Sequence, residues 1–244
     1  MNQYRNAYQM NDQARLTVFH VFHHIRVSGG AEKHVQDLLR ALSRDGGPVR
    51  PLLAVMDPSA DAELLDMGTV EILPYHQAHP DAPVWLEGRF AWNIIKTVRE
   101  RSVDIIHTHA ATEHRLALSA GILTRTPVIR TQHSTVSPTD YRTGLFRPLL
   151  RAMTRQWVAV SPDVAETMKS VYHTKEDRVA VIPNGIDVDA FKQSLETRTR
   201  IRRELSIPER AFLLVAVSRL IASKNVPAIM RAVHTAQKLS LIHI

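Results

Sequence analysis

From Leu16 onward, short aliphatic or β-branched runs alternate with amphipathic stretches of helical period, and few folds accommodate that alternation. The runs are Leu16 to Phe22, Pro51 to Met56, Val70 to Leu73, Val103 to His107, Val128 to Thr131, Trp157 to Val160 and Val179 to Ile182. Each is too short for a helix and too apolar for a strand with one wet face, so each reads as a strand covered on both sides. Between them, Ala31 to Arg44 sets Val35, Leu38, Leu39 and Leu42 on one stripe and stops before Gly46 and Gly47, as a helix packed on a sheet does. Further helices are predicted at Ala91 to Arg101, Glu113 to Leu123, Gly144 to Arg155 and Pro162 to Val171. The expectation is a doubly wound α/β domain with a parallel sheet, whose ligands gather outside the carboxyl ends of the strands.

After Ile182 the texture changes. PNGIDVDAF is rich in turn residues, and beyond it come a charged helix, Glu196 to Leu205, a strand, Phe212 to Val217, and a helix, Asn225 to Lys238. We expect a domain over residues 15–190 and an incomplete second α/β domain over 191–238. Residues 1–14 are polar and read as a disordered leader, without a signal-peptide core. The final LSLIHI, residues 239–244, matches a translated sequencing-adapter end, so we expect a non-native tail on a truncated gene.

Charge and composition narrow the partners. A net charge of +7 attracts something anionic, whether nucleic acid, acidic lipid or a phosphorylated substrate. Aromatics are 6% and do not recur among the basic residues as stacking platforms, which argues against nucleic acid. Cysteine is absent, which excludes disulfides and thiolate chemistry and suits the cytoplasm. In YRTGLFRPLLRAMTRQW, Arg147, Arg151 and Arg155 share a face if the segment is helical, a pattern that anionic lipid could meet. The competing reading packs the apolar stripe on the sheet and leaves the arginines wet.

Four segments carry chemistry. SGGAEKHV places Gly29 and Gly30 at a strand-to-helix turn, where backbone N–H groups and the helix dipole favour an anion. GxGxxG is absent, so a dinucleotide cofactor is not indicated. VDIIHTHA sends His107 and His109 from the end of a strand, on one side by the period of two, where neutral imidazoles can bond sugar hydroxyls. HxH also occurs in zinc sites, but no further ligand stands at a set spacing, so no metal is expected. TQHS delivers His133 to another strand end. In VSRLIASKN, Arg219 and Lys224 flank the mouth of a helix and suit a diphosphate.

The order SGGAEKHV, VDIIHTHA, TQHS, WVAVSPDVAETM, VIPNGID and VSRL with Lys224 resembles family 4 glycosyltransferases of the GT-B fold, from about Leu16 to Lys238. The resemblance implies a complete N-terminal Rossmann-like domain for the acceptor and the beginning of a second for the donor. It implies transfer from a nucleotide-sugar co-substrate to a glycan or lipid-linked acceptor with retention of configuration, without metal or cofactor. Gly29, Gly30, Arg219 and Lys224 then match the donor-diphosphate positions, His109 the active-site histidine at the transferred sugar, and Glu32 and His133 the acceptor side. The family's two glutamates eight positions apart are missing, so the chain as written is expected to be inactive. The rival readings are a GT-B-like sugar epimerase and a non-catalytic α/β module holding a phosphorylated ligand.

Overall fold

The computed structural model describes residues 15–22, 29–43, 47–55, 71–74, 84–135, 147–218 and 220–238. The expected leader and tail, residues 1–14 and 239–244, lie outside them, as does Arg219. The chain divides into two compact units, Met1–Ile186 and Asp187–Ile244.

The first unit carries seven strands, β1 (Leu16–Phe22), β2 (Val49–Val55), β3 (Glu71–Pro74), β4 (Ile105–Thr108), β5 (Val128–Gln132), β6 (Thr154–Ala159) and β7 (Val179–Val181). They form one sheet in the order β3-β2-β1-β4-β5-β6-β7, and every neighbouring pair is parallel. Helices α1 (Gly30–Leu42), α2 (Val84–Glu100), α3 (Ala111–Thr124), α4 (Arg147–Met153) and α5 (Pro162–Tyr172) connect them.

The period of two distributes the strand side chains between two apolar layers. Phe19, Val21, Leu52 and Ala54 pack with Phe90, Ile94, Ala117 and Leu118 of α2 and α3. Their neighbours Phe22, Leu53 and Val55 instead pack with Val35 and Leu39 of α1. A third cluster joins Trp157 and Ala159 of β6 to Val164, Ala165, Met168, Val171 and Tyr172 of α5. Each fully buried aliphatic or aromatic side chain contributes about 1.5–3 kcal/mol, so these layers fix where the helices sit.

Local signals set the helix ends. Ser161 caps α5 by accepting from the Val164 N–H, with Pro162 at the first helical position. The last turn of α3 passes so close to β5 that a Cβ on Gly121 would meet Val128 Cγ2 at 2.5 Å and Thr126 O at 2.8 Å. That close approach requires glycine.

Two sequence expectations fail here. The helix predicted from Gly144 to Arg155 is described only over Arg147–Met153, and Arg155 lies on β6. The arginine face of residues 147, 151 and 155 is therefore not a helical face. The cause is Thr154, whose hydroxyl donates to Leu150 O at 2.6 Å while its backbone enters the β5 ladder opposite Val128. Helix α2 also begins at Val84, ahead of the predicted Ala91, because Gly88 is accommodated inside it.

The second unit contains α6 (Leu195–Glu204), α7 (Val226–Lys238) and two single turns of tighter helix, Val188–Phe191 and Ala222–Lys224. Phe212 to Val217, predicted as a strand, is irregular and exposed, with Val217 92% accessible. A strand needs a ladder partner, and among the described residues none lies beside it. Arg202 is buried in this unit, donating to the carbonyls of Glu209 and Ala211.

Candidate active site at the sheet switch point

The strand order reverses between β1 and β4, since connections run outward through β2 and β3 on one side and through β5 to β7 on the other. Sheets of this kind hold ligands outside the carboxyl ends of the two strands that flank such a reversal. The structure brings histidines there. His20 on β1 lies in register with His107 on β4, so both point to the same face, and His109 follows two residues later. His133 comes from the end of β5, and His34 from the second turn of α1 lies beside it with ring centroids 5.2 Å apart.

These rings form a chain. His20 Nδ1 lies 3.2 Å from His109 Nε2, and His109 Nδ1 lies 3.3 Å from His133 Nε2. His107 packs against His109 at 4.2 Å between centroids and directs Nε2 to Thr131 Oγ1 at 2.8 Å. A neutral imidazole has one donor and one acceptor, so either polarity of the chain leaves a donor at one end and an acceptor at the other. His20 Nε2 and His133 Nδ1 are those ends, both buried and without a partner among the described residues.

Burial keeps the rings neutral. It pushes His20 down to about 3, with the His34 charge adding to the effect, and His133 down to about 4. His107 and His109 are held well below the ordinary imidazole range by burial first and by their histidine neighbours second. The cluster therefore presents neutral donors and acceptors near pH 7, the form that suits sugar hydroxyls.

The glycine turn stands on the same edge. Gly29 caps α1 in extended conformation, and both Gly29 and Gly30 are exposed. The Glu32 carboxylate folds back over Gly29 and takes the direction that a Cβ there would occupy. Three residues into a helix, a glutamate so placed complements the helix dipole. Around Gly30 an added Cβ would meet no described residue within 4 Å, so packing among them does not demand glycine.

A second buried polar set sits at the start of α3. His114 has both nitrogens engaged, Nδ1 with Thr108 Oγ1 at 2.9 Å and Nε2 with Thr154 Oγ1 at 2.8 Å. Thr154 is committed to Leu150 O at 2.6 Å, whereas Thr108 lies 3.2 Å from Ile129 O. Burial holds His114 neutral, so its single N–H goes to Thr154, and the one Thr108 hydroxyl proton is shared between Nδ1 and the Ile129 carbonyl. Beside it Glu113 is fully buried and pushed up to about 7 by burial, with Arg130 and Arg115 acting in the opposite sense. Arg130 lies 5.6 Å from the ring centres of both Trp157 and Tyr172 and donates to the Tyr172 hydroxyl.

Of the residues singled out in the sequence, Gly29, Gly30, Glu32, His109 and His133 thus lie along one edge of the first unit's sheet. Lys224 belongs to the second unit, exposed at the end of the Ala222–Lys224 turn, before Asn225 and α7. Arg219 lies outside the described residues. Sequence reasoning missed His20 and His34. A histidine inside the apolar run LTVFHVF was the available signal, but its pairing with His107 appears only once the strand order is known. A hollow of about 410 Å³ lined by Arg125, Arg155 and Arg178 lies at the amino ends of β5 and β6, away from the edge where such sheets do chemistry.

The fold and the site meet in the comparisons with known proteins. The model of Glycosyltransferase Family 4 matches residues 28–190, and the chain belongs to that family. It is 29% identical over 174 residues to TuaC of Bacillus subtilis, a glycosyltransferase assigned to teichuronic acid biosynthesis, covering 67% of this chain and 44% of TuaC. It is 24% identical to the D-inositol 3-phosphate glycosyltransferase of Xylanimonas cellulosilytica, covering 88% of this chain and 57% of that one. The crystal structure of Anabaena HepE in complex with UDP and glucose superposes with a TM-score of 0.73 at 19% identity, over 89% of this chain and 57% of HepE. The chain spans about half the length of the curated relatives it matches.

Proposed function

We propose that this chain is the acceptor-side half, with the first part of the donor-side half, of a transferase that moves a sugar from a nucleotide-sugar donor to a glycan or lipid-linked acceptor with retention of configuration. The observation that carries the reading is the neutral histidine chain at the switch point, inside the stretch matched by the family model. HepE, of similar fold, was crystallised with UDP and glucose, which favours a nucleotide sugar as donor here.

In this reading Gly29 and Gly30 receive the diphosphate at the mouth of α1, and the Glu32 side chain swings aside to admit it. His109 meets the transferred sugar. Both its nitrogens are engaged, so a sugar hydroxyl replaces one of them, and His133 is the readier to yield because it is less buried than His20. Glu32 and His133 then face the acceptor. Arg219 and Lys224 neutralise the leaving diphosphate, which makes a metal cofactor unnecessary, and electrostatic stabilisation there is the largest available contribution. With no cysteine, the chain suits the cytoplasm. No described helix is long and apolar enough to cross a membrane. Arg151 and Arg155 are exposed and available for peripheral contact with anionic lipid.

The test uses a chain extended to the full length of its relatives. Titration with UDP-glucose should give binding that Lys224→Ala and Arg219→Ala each weaken by about tenfold or more, the scale of a lost charge-assisted contact. Unchanged affinity in both variants refutes the assignment. The 244-residue chain itself is expected to show no transfer.

A further inference from the structure

We propose that His20, His107 and His109 form a binding site for a first-row divalent ion of the zinc class. One nitrogen from each ring lies within 4.8 Å of the other two, and all three residues are buried. Tetrahedral zinc with nitrogens at about 2.0–2.1 Å separates two of them by about 3.3 Å. His20 Nδ1 and His109 Nε2 already stand 3.2 Å apart, and closing the triangle requires His107 to move toward them.

Two features distinguish this cluster from histidines that merely pack. The rings are neutral, the only form in which imidazole can ligate. Two of them are held from behind, His107 by Thr131 Oγ1 and His109 by His133 Nε2, the arrangement that orients metal-ligating histidines. An all-imidazole set without thiolate or carboxylate selects zinc, copper, nickel or cobalt(II) over magnesium or calcium. Three ligands leave a fourth position for water or a substrate oxygen.

The site does not depend on the transferase reading. One consequence does: an ion bound to His109 competes with the sugar contact proposed for that ring, so zinc should inhibit transfer.

The test is titration of the metal-stripped 244-residue chain with Co²⁺ alone at neutral pH, followed by visible absorption. The expected result is one equivalent bound with intense tetrahedral bands, displaced by Zn²⁺. His20→Asn and His107→Asn should each weaken binding by about tenfold or more, while His34→Asn leaves it unchanged. Equal binding by all variants, or none by the wild type, overturns the site. If the buried variants fail to fold, X-ray absorption of the zinc-loaded wild type decides. Three imidazole nitrogens in the first shell support the proposal, and two or fewer overturn it.

Discussion

His114 and His109 sit five residues apart, both buried and both neutral, yet the structure treats them differently. His114 lies between two threonine hydroxyls, one donating and one accepting, and leaves nothing over. His109 is bounded by other imidazoles, and the chain they make ends in two buried nitrogens with no partner. Burial of a polar ring alone therefore does not mark a site. What sets His109 apart is that its neighbours are imidazoles gathered at the carboxyl edge of the sheet, where such folds bind ligands.

The largest effect that can sharpen this contrast is acid lability. Each buried imidazole has a folded pKa below the ordinary 6.5, so the native state binds fewer protons than the unfolded chain. Their contribution to stability is present above pH 6.5 and is lost as the pH falls toward the folded values, about 3 for His20 and about 4 for His133. Urea midpoints measured from pH 7 to pH 4 should fall steadily. A flat profile would mean that the histidines are not buried as described.

Next in size is His114→Ala, which strands Thr108 and Thr154 around a cavity and should cost about 3 kcal/mol. His133→Ala, at a half-open position, should cost about 1 kcal/mol or less. Equal losses in chemical denaturation would erase the distinction between the two sets.

Glu113 gives a smaller effect of opposite sign. Its folded pKa of about 7 lies above the ordinary 4.5, so its contribution is fully present below 4.5 and declines as the pH rises through 7. Glu113→Gln should remove that decline and leave the acid limb intact, which a comparison of the two pH–stability curves reads directly. The smallest effect is Ser161→Ala, where loss of the α5 cap should cost about 1 kcal/mol by thermal or urea unfolding. No change would mean that the Val164 N–H finds another acceptor.

Strands β1 and β2 were legible in the sequence because they are covered on both faces and read as apolar runs. Val18 to Phe22 and Leu52 to Val55 are buried residue after residue, as such strands require. His109 and His133 were legible for the same reason, since a polar residue directly after such a run must emerge at its carboxyl end. His20 was not, because its role depends on β1 lying beside β4, a long-range pairing that periodicity does not encode. Arg155 was misplaced because a helical stripe and the start of a strand overlap at Thr154, where the pairing with β5 wins. Phe212 to Val217 has strand composition without strand neighbours among the described residues, and composition alone does not make a ladder.

The central claim is that His109 works in chemistry and His114 in structure. The most direct measurement compares His109→Asn with His114→Asn, in a chain extended to the length of its relatives, for both sugar-transfer turnover and unfolding free energy. The account predicts that His109→Asn lowers turnover by about a hundredfold while losing less stability than His114→Asn, whose turnover per folded molecule stays near wild type. Wild-type turnover in His109→Asn, or a larger loss of turnover per folded molecule in His114→Asn, would contradict it.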